Sequence, residues 1–237
     1  MTSTPVLLSP PAGYRLVGDG EHSQVYRRTG GRYCIQLFRP DTELTVARVN
    51  AEYAYLRQAY SALPGLIPGQ HLFAPAPCAP LARAVLAKQW VEVDASRPLN
   101  RVRAADLTRE TLHQLGRFVT VTRSLLERAP VEQTLLPDII DMRFRNLAVD
   151  TDGDLRLLDT NQLINTRALR ALAPGRTLDI GHRRIHAALL RRLMYLDAAF
   201  RGRTRAQLIG DPLYARYLSP AAFAALFEQS TASGEVM

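Results

Sequence analysis

The chain has 237 residues, 47% of them hydrophobic, and a formal net charge of +8 with a pI near 10.0. That length suits one large domain or two small lobes, and that apolar content is enough for a packed core, which excludes wholesale disorder. No run of eighteen apolar residues is present to cross a membrane, the start MTSTPVLLSPPAG lacks the basic n-region of a signal peptide, and Cys34 and Cys78 read as buried free thiols, so a cytoplasmic location is expected.

Of the 30 basic residues only Lys88 is a lysine. Arginine stays charged and grips phosphate bidentately, so the balance favours anionic partners: nucleotides, phosphorylated sugars, an anionic membrane or nucleic acid. A codon bias towards Arg explains the same count more simply.

Residues 1–13 are Pro-rich and read as an irregular lead-in. Residues 14–38 read as three strands: one ending at Gly18, one over Ser23–Arg27, and one over Arg32–Phe38 after the tight turn Thr29-Gly-Gly. Helical spacing runs through 43–63 and stops at Pro64-Gly65. Residues 69–93 read as two strands around a Pro-rich turn. Thr108 is placed to cap a long amphipathic helix, Arg109–Arg128. The stretch DMRFRNLAVDTDGDLRLLDTN (141–161) reads as a hairpin, Leu178–Phe200 as a basic helical stretch, and Pro220–Gln229 as a last short helix before a flexible tail at 231–237. The expected division is a strand-rich part over 14–93 and a mostly helical part over 94–230.

Two stretches carry chemistry. Gly18-x-Gly20-x-x-Ser23-x-Val25 lies between two strands, where glycines let a backbone approach phosphates closely and Val25 can cover a purine ring. A strand follows it rather than a helix, which argues against a dinucleotide-binding fold. In the hairpin, the turn at 151–154 brings the strand ends together, so that Asn146 and Asp159 become neighbours able to share one Mg²⁺ through oxygen atoms. Asp141, in the preceding loop, is free to accept a hydroxyl proton, and Arg143 to neutralise a transferring phosphoryl group. A solvated hairpin accounts for Asp150, Asp152 and Asp154. It does not account for an Asp placed directly after the apolar run at 155–158.

The order Gly-x-Gly-x-x-Ser-x-Val, three strands, a helix bearing Glu52, a connector, Asp-x-Arg-x-x-Asn and Leu-Leu-Asp resembles the protein-kinase-like superfamily over about residues 14–165. Its size and basic character are similar to small bacterial members, the lipopolysaccharide core sugar kinases or the kinase-like proteins of the PhoP regulatory network. The resemblance implies an α+β, bilobal protein-kinase-like fold that binds ATP and Mg²⁺. It implies roles for Asp141 and Arg143 in catalysis and for Asn146 and Asp159 as metal ligands. Gly18, Gly20, Ser23, Val25, Gln36 and Glu52 fall at its cofactor-binding positions. The acceptor it implies is a protein or envelope-sugar hydroxyl.

The chain departs from the pattern at several positions. Gln36 stands where the family has its ATP-gripping lysine, with Arg27 and, less well placed, Arg39 as candidates to replace that charge. Ile139 replaces the catalytic-loop His, and Asp159 is followed by Thr-Asn. These departures motivate the alternative of a pseudokinase that regulates a partner; transfer of AMP is a third reading. His182 and His186, four apart on a helix, lack a third metal ligand and read as a solvated face. The basic stretch around them reads either as a core helix with an Arg-rich outer face or as a surface for an anionic membrane, which would put the protein at the inner membrane's periphery. Nucleic acid is disfavoured as a partner, because the charge is spread out and no aromatic-basic platform is present.

Overall fold

The structure, a computed structural model, describes residues 8–94, 97–129, 131–132, 134–141, 143–161, 163–165 and 180–217, with the backbone alone for 180–187 and 216–217. It is a mixed α/β molecule in which a five-stranded antiparallel sheet is followed by helices and a short hairpin.

The sheet is built from β1 (Tyr14–Asp19), β2 (Ser23–Arg28), β3 (Tyr33–Phe38), β4 (Gln70–Phe73) and β5 (Val85–Gln89), in the order β1-β2-β3-β5-β4. Its register places Val25 opposite Gln36 and Cys34 opposite Lys88, which in turn faces Gln70. Cross-strand partners share a face, so Ser23, Val25, Cys34, Gln36, Leu86 and Lys88 all project from one side of the sheet.

Helix α1 (Val46–Ala59) is started by Thr45, whose side chain accepts the amide of Arg48. Its buried residues Val46, Val49, Glu52 and Leu56 recur at helical spacing and form one stripe. The first turns join Phe38, Leu44, Leu81, Ala84 and Leu86 in a small core against the sheet. Leu56 and the following Tyr60, Leu63 and Leu66 belong to the larger core. One helix thus ties the two cores together.

Helix α2 (Arg109–Arg128) has the bounds its spacing predicts, with the Thr108 hydroxyl accepting the amide of Thr111. Thr122 is fully buried within it. Its hydroxyl donates to Phe118 O at 2.8 Å, so it accepts from the Tyr60 hydroxyl, also at 2.8 Å. Helix α3 (Ile180–Arg201) packs on α2. In this basic stretch Leu189, Leu190, Leu193, Met194, Leu196 and Phe200 are buried, as the core reading expects, and so is Arg192, which that reading placed on the outer face. No helix among the described residues is long and apolar enough to cross a membrane.

Two short helices, α4 (Arg205–Ile209) and α5 (Pro212–Tyr217), were not expected, because five and six residues are too few to show a period. They close a buried polar cluster. Asp197, fully buried, accepts from the Tyr214 hydroxyl at 2.7 Å, Arg201 at 2.9 Å and Arg123 at 3.3 Å. Asp211 accepts from Arg123 at 2.8 Å and from Arg203. The expected helix over 220–229, the tail at 231–237 and the side chains of His182 and His186 lie outside the described residues.

Candidate functional site

The hairpin of β7 (Leu147–Val149) and β8 (Leu155–Leu157), preceded in the chain by the two-residue β6 (Leu135–Leu136), forms with Leu147 opposite Leu157. Its turn uses Gly153 at φ 89°, a left-handed conformation that suits glycine, and Asp150, which accepts the amides of Asp152 and Asp154 at 3.0 and 2.9 Å. At the open end the Leu158 amide donates to Asn146 O at 2.7 Å. The ladder therefore delivers Asn146 and Asp159 to the same end of the hairpin. Beyond them the chain pairs again, β9 (Ile164–Asn165) with β6.

Asn146 and Asp159 face the sheet across a cavity of about 390 Å³. On its other side stand Gly18, Gly20, Ser23, Val25 and Gln36, and the connector supplies Trp90, Val91 and Val93. Neither Gly18 nor Gly20 has a positive φ, and a Cβ on Gly18 would make only ordinary contact with Val25. The backbone's own shape does not demand glycine there; close approach of a ligand would. Arg39 braces this turn through Asp19 at 2.6 Å and Gly20 O at 3.2 Å.

Several expected residues are tied up by other groups or lie outside this cavity. Gln36 lines the cavity but donates to the Ser23 hydroxyl at 2.6 Å. Arg27 does not supply the missing charge. It bonds Glu92 at 2.8 Å, lies 4.2 Å over the Trp90 ring and lines a separate cavity of about 550 Å³. Arg39 is held on Asp19, as described. Glu52 lies outside the cavity lining: buried, it takes Arg48 at 2.7 Å and the Leu163 amide at 3.3 Å.

The cation at this cavity is Lys88, which sequence reasoning passed over. It projects from β5, buried, and donates to Leu158 O and, at 3.1 Å, to the Thr160 hydroxyl. Thr160 in turn donates to Gln70 at 2.6 Å. Burial pulls the Lys88 amine below its usual value, and the Asp159 charge pulls the other way. The available signal was compositional: this is the only lysine in the chain.

Asp141 and Arg143 lie in the loop before Asn146, outside the cavity lining. Burial pushes the Asp141 carboxyl up, but hydrogen bonds from the Arg145 side chain and the Arg143 amide outweigh it and hold the carboxyl below the usual range. Within this loop Phe144 adopts φ 53°, a conformation non-glycine residues rarely take, and its ring is buried 5.6 Å from that of Tyr195. Asp138, also unanticipated, has its carboxyl pushed up by burial and by the charges of Asp159 and Asp141.

The residues fit a divalent ion that is shared with a ligand. Asn146 donates its Nδ2 to Asp138 O at 3.0 Å, which leaves its amide oxygen available to an ion, and Asp159 accepts the Asn161 amide at 3.0 Å on Oδ1. No cluster of three His, Cys, Asp or Glu exists among the described residues. Two hard oxygens suit an ion that keeps water and binds phosphate. The chain matches no protein-family model and no curated protein, so the chemistry of the cleft is read from its own residues.

Proposed function

We propose that this protein is an ATP- and Mg²⁺-dependent phosphotransferase of bilobal kinase-like fold. The acceptor is a hydroxyl of a protein or an envelope sugar. One observation carries the reading: a single cavity brings the Gly18–Val25 turn of the sheet together with Asn146 and Asp159 of the hairpin. A strand-built wall with two glycines open to a ligand suits a triphosphate, and the apolar connector suits a base.

In this reaction the acceptor oxygen forms a bond to the γ-phosphorus, the β,γ-bridging P–O bond breaks, and ADP leaves with the electron pair. Asp141 takes the hydroxyl proton. Its oxygens each accept one bond, from the Arg143 amide and from Arg145, and each keeps a second lone pair for that proton. Arg143 is exposed beside it and offsets phosphoryl charge. Asn146 and Asp159 would hold a Mg²⁺ ion, which would supply charge to screen the phosphates.

The clamp on Asp141 favours a second reading, a pseudokinase that binds nucleotide and regulates a partner. Calorimetric titration of ATP with and without Mg²⁺, with transfer of ³²P from γ-labelled ATP followed in the same sample, separates the two. Mg²⁺-dependent binding with label transfer supports the phosphotransferase. Binding without transfer to any offered protein or sugar acceptor favours the regulator. Asp159→Ala is expected to lose the Mg²⁺-dependent part of binding, and wild-type affinity in that variant would sink the metal assignment.

A further inference from the structure

We propose that Lys88 is the phosphate-binding cation of this cleft, supplied from β5 rather than β3; the inference rests on the nucleotide reading above. Among the described residues that line the cavity, Lys88 is the sole cation, set against the carboxylates of Asp19 and Asp159. A polyphosphate entering between the Gly18–Val25 turn and Asp159 therefore meets one positive side chain.

An ammonium has three donors. Two are taken, by Leu158 O and the Thr160 hydroxyl. No carboxylate among the described residues pairs directly with it, although Asp159 attracts it through space. Burying an ammonium in this way is unfavourable until an anion reaches it. Its two acceptors flank Asp159 in sequence, so the charge is anchored on either side of the metal-site carboxylate.

The strand register explains how β5 can do this. Cys34 is directly opposite Lys88, and Gln36 lies one same-face position further along β3. Cys34 is small, and the long unbranched lysine stem extends past it to the hairpin. Gln36, held on Ser23, props the glycine turn, while Lys88 brings the charge. The two roles fall on adjacent strands.

Because Lys88 is the only lysine, an amine-directed probe decides the matter cleanly. An acyl phosphate of ATP places a mixed anhydride at the γ-phosphate. An amine held there attacks the acyl carbonyl, an amide C–N bond forms, the acyl C–O bond breaks, ATP leaves with the electron pair, and the amine proton passes to solvent. The N-terminal amine is the internal control. The experiment combines calorimetry of ATP with mass spectrometry of the labelled full chain.

The expected result is one acyl group on the peptide bearing Lys88, suppressed by excess ATP. Lys88→Gln is expected to weaken ATP binding about tenfold or more, and Gln36→Lys in that background to restore part of it. ATP binding with no ATP-suppressed label on Lys88 overturns the role of the lysine and leaves the nucleotide reading standing. No ATP binding by calorimetry overturns both. Labelling uses the wild-type chain, so the answer does not depend on the variants folding.

Discussion

Glu52 of α1 accepts the amide of Leu163, 111 residues further along the chain, at 3.3 Å. The same carboxylate pairs with Arg48 one turn back. The bond ties the helix that packs on the sheet to the segment that follows Asp159. Glu52 is therefore a clasp between the sheet and the hairpin's outlet, not a partner for the cleft's cation.

Removing that clasp leaves a buried amide without an acceptor. Glu52→Ala is expected to lower stability by about 1–3 kcal/mol, while Glu52→Gln, which keeps an acceptor oxygen, lowers it less. Urea unfolding of the two variants measures the difference. Equal losses would mean that the Leu163 amide finds another acceptor.

Asp197 is the hub of the polar cluster closed by α4 and α5. Asp197→Ala leaves Arg123, Arg201 and the Tyr214 hydroxyl without their shared acceptor in a buried site. The expected cost is about 3–5 kcal/mol, read as a fall in the urea midpoint at unchanged slope. A loss no larger than that of an exposed residue would show that the cluster is solvated.

Asp211 gives the cluster a pH dependence. Burial raises its carboxyl pKa, but the hydrogen bonds from Arg203 and the Leu213 amide and the charge of Arg123 hold it below the ordinary 3.8. The folded state binds this proton less readily than the unfolded chain. Its stabilisation is therefore full above about pH 4 and is lost as pH falls through the lower folded value. The Tm gap between wild type and Asp211→Asn is expected to be constant near neutrality and to narrow below about pH 4. A gap that holds at low pH would place the effect in packing.

Arg145→Ala is expected to raise the Asp141 pKa, because the first hydrogen bond opposing its burial is removed. Carboxyl-detected NMR titration of Asp141 reads this directly. In a phosphotransferase the acid limb of the rate profile moves to higher pH with it, since the base must be ionised. An unmoved titration would show that Arg145, largely exposed, does not hold Asp141 in solution.

The bounds of α2 and the three opening strands were legible because amphipathic period, a Thr cap and Gly turns are local signals. The placement of Asn146 and Asp159 at one end of a hairpin was legible for the same reason. The turn Thr151–Asp154 sets the register, and the register sets which residues meet. The short α4 and α5 were not, since five and six residues are too few to show a helical period.

Sequence by itself therefore determined the local elements, the glycine turn, the hairpin and the presence of one lysine among arginines. Tertiary structure alone decided which charge serves the cavity. Arg27 and Val25 share a strand face, yet Arg27 turns to Trp90 and Glu92, while Lys88 reaches the backbone beside Asp159 from a strand 70 residues away. Side-chain direction across a sheet depends on strand order, β3 next to β5, and that order is set by packing between segments distant in sequence. No local pattern records it.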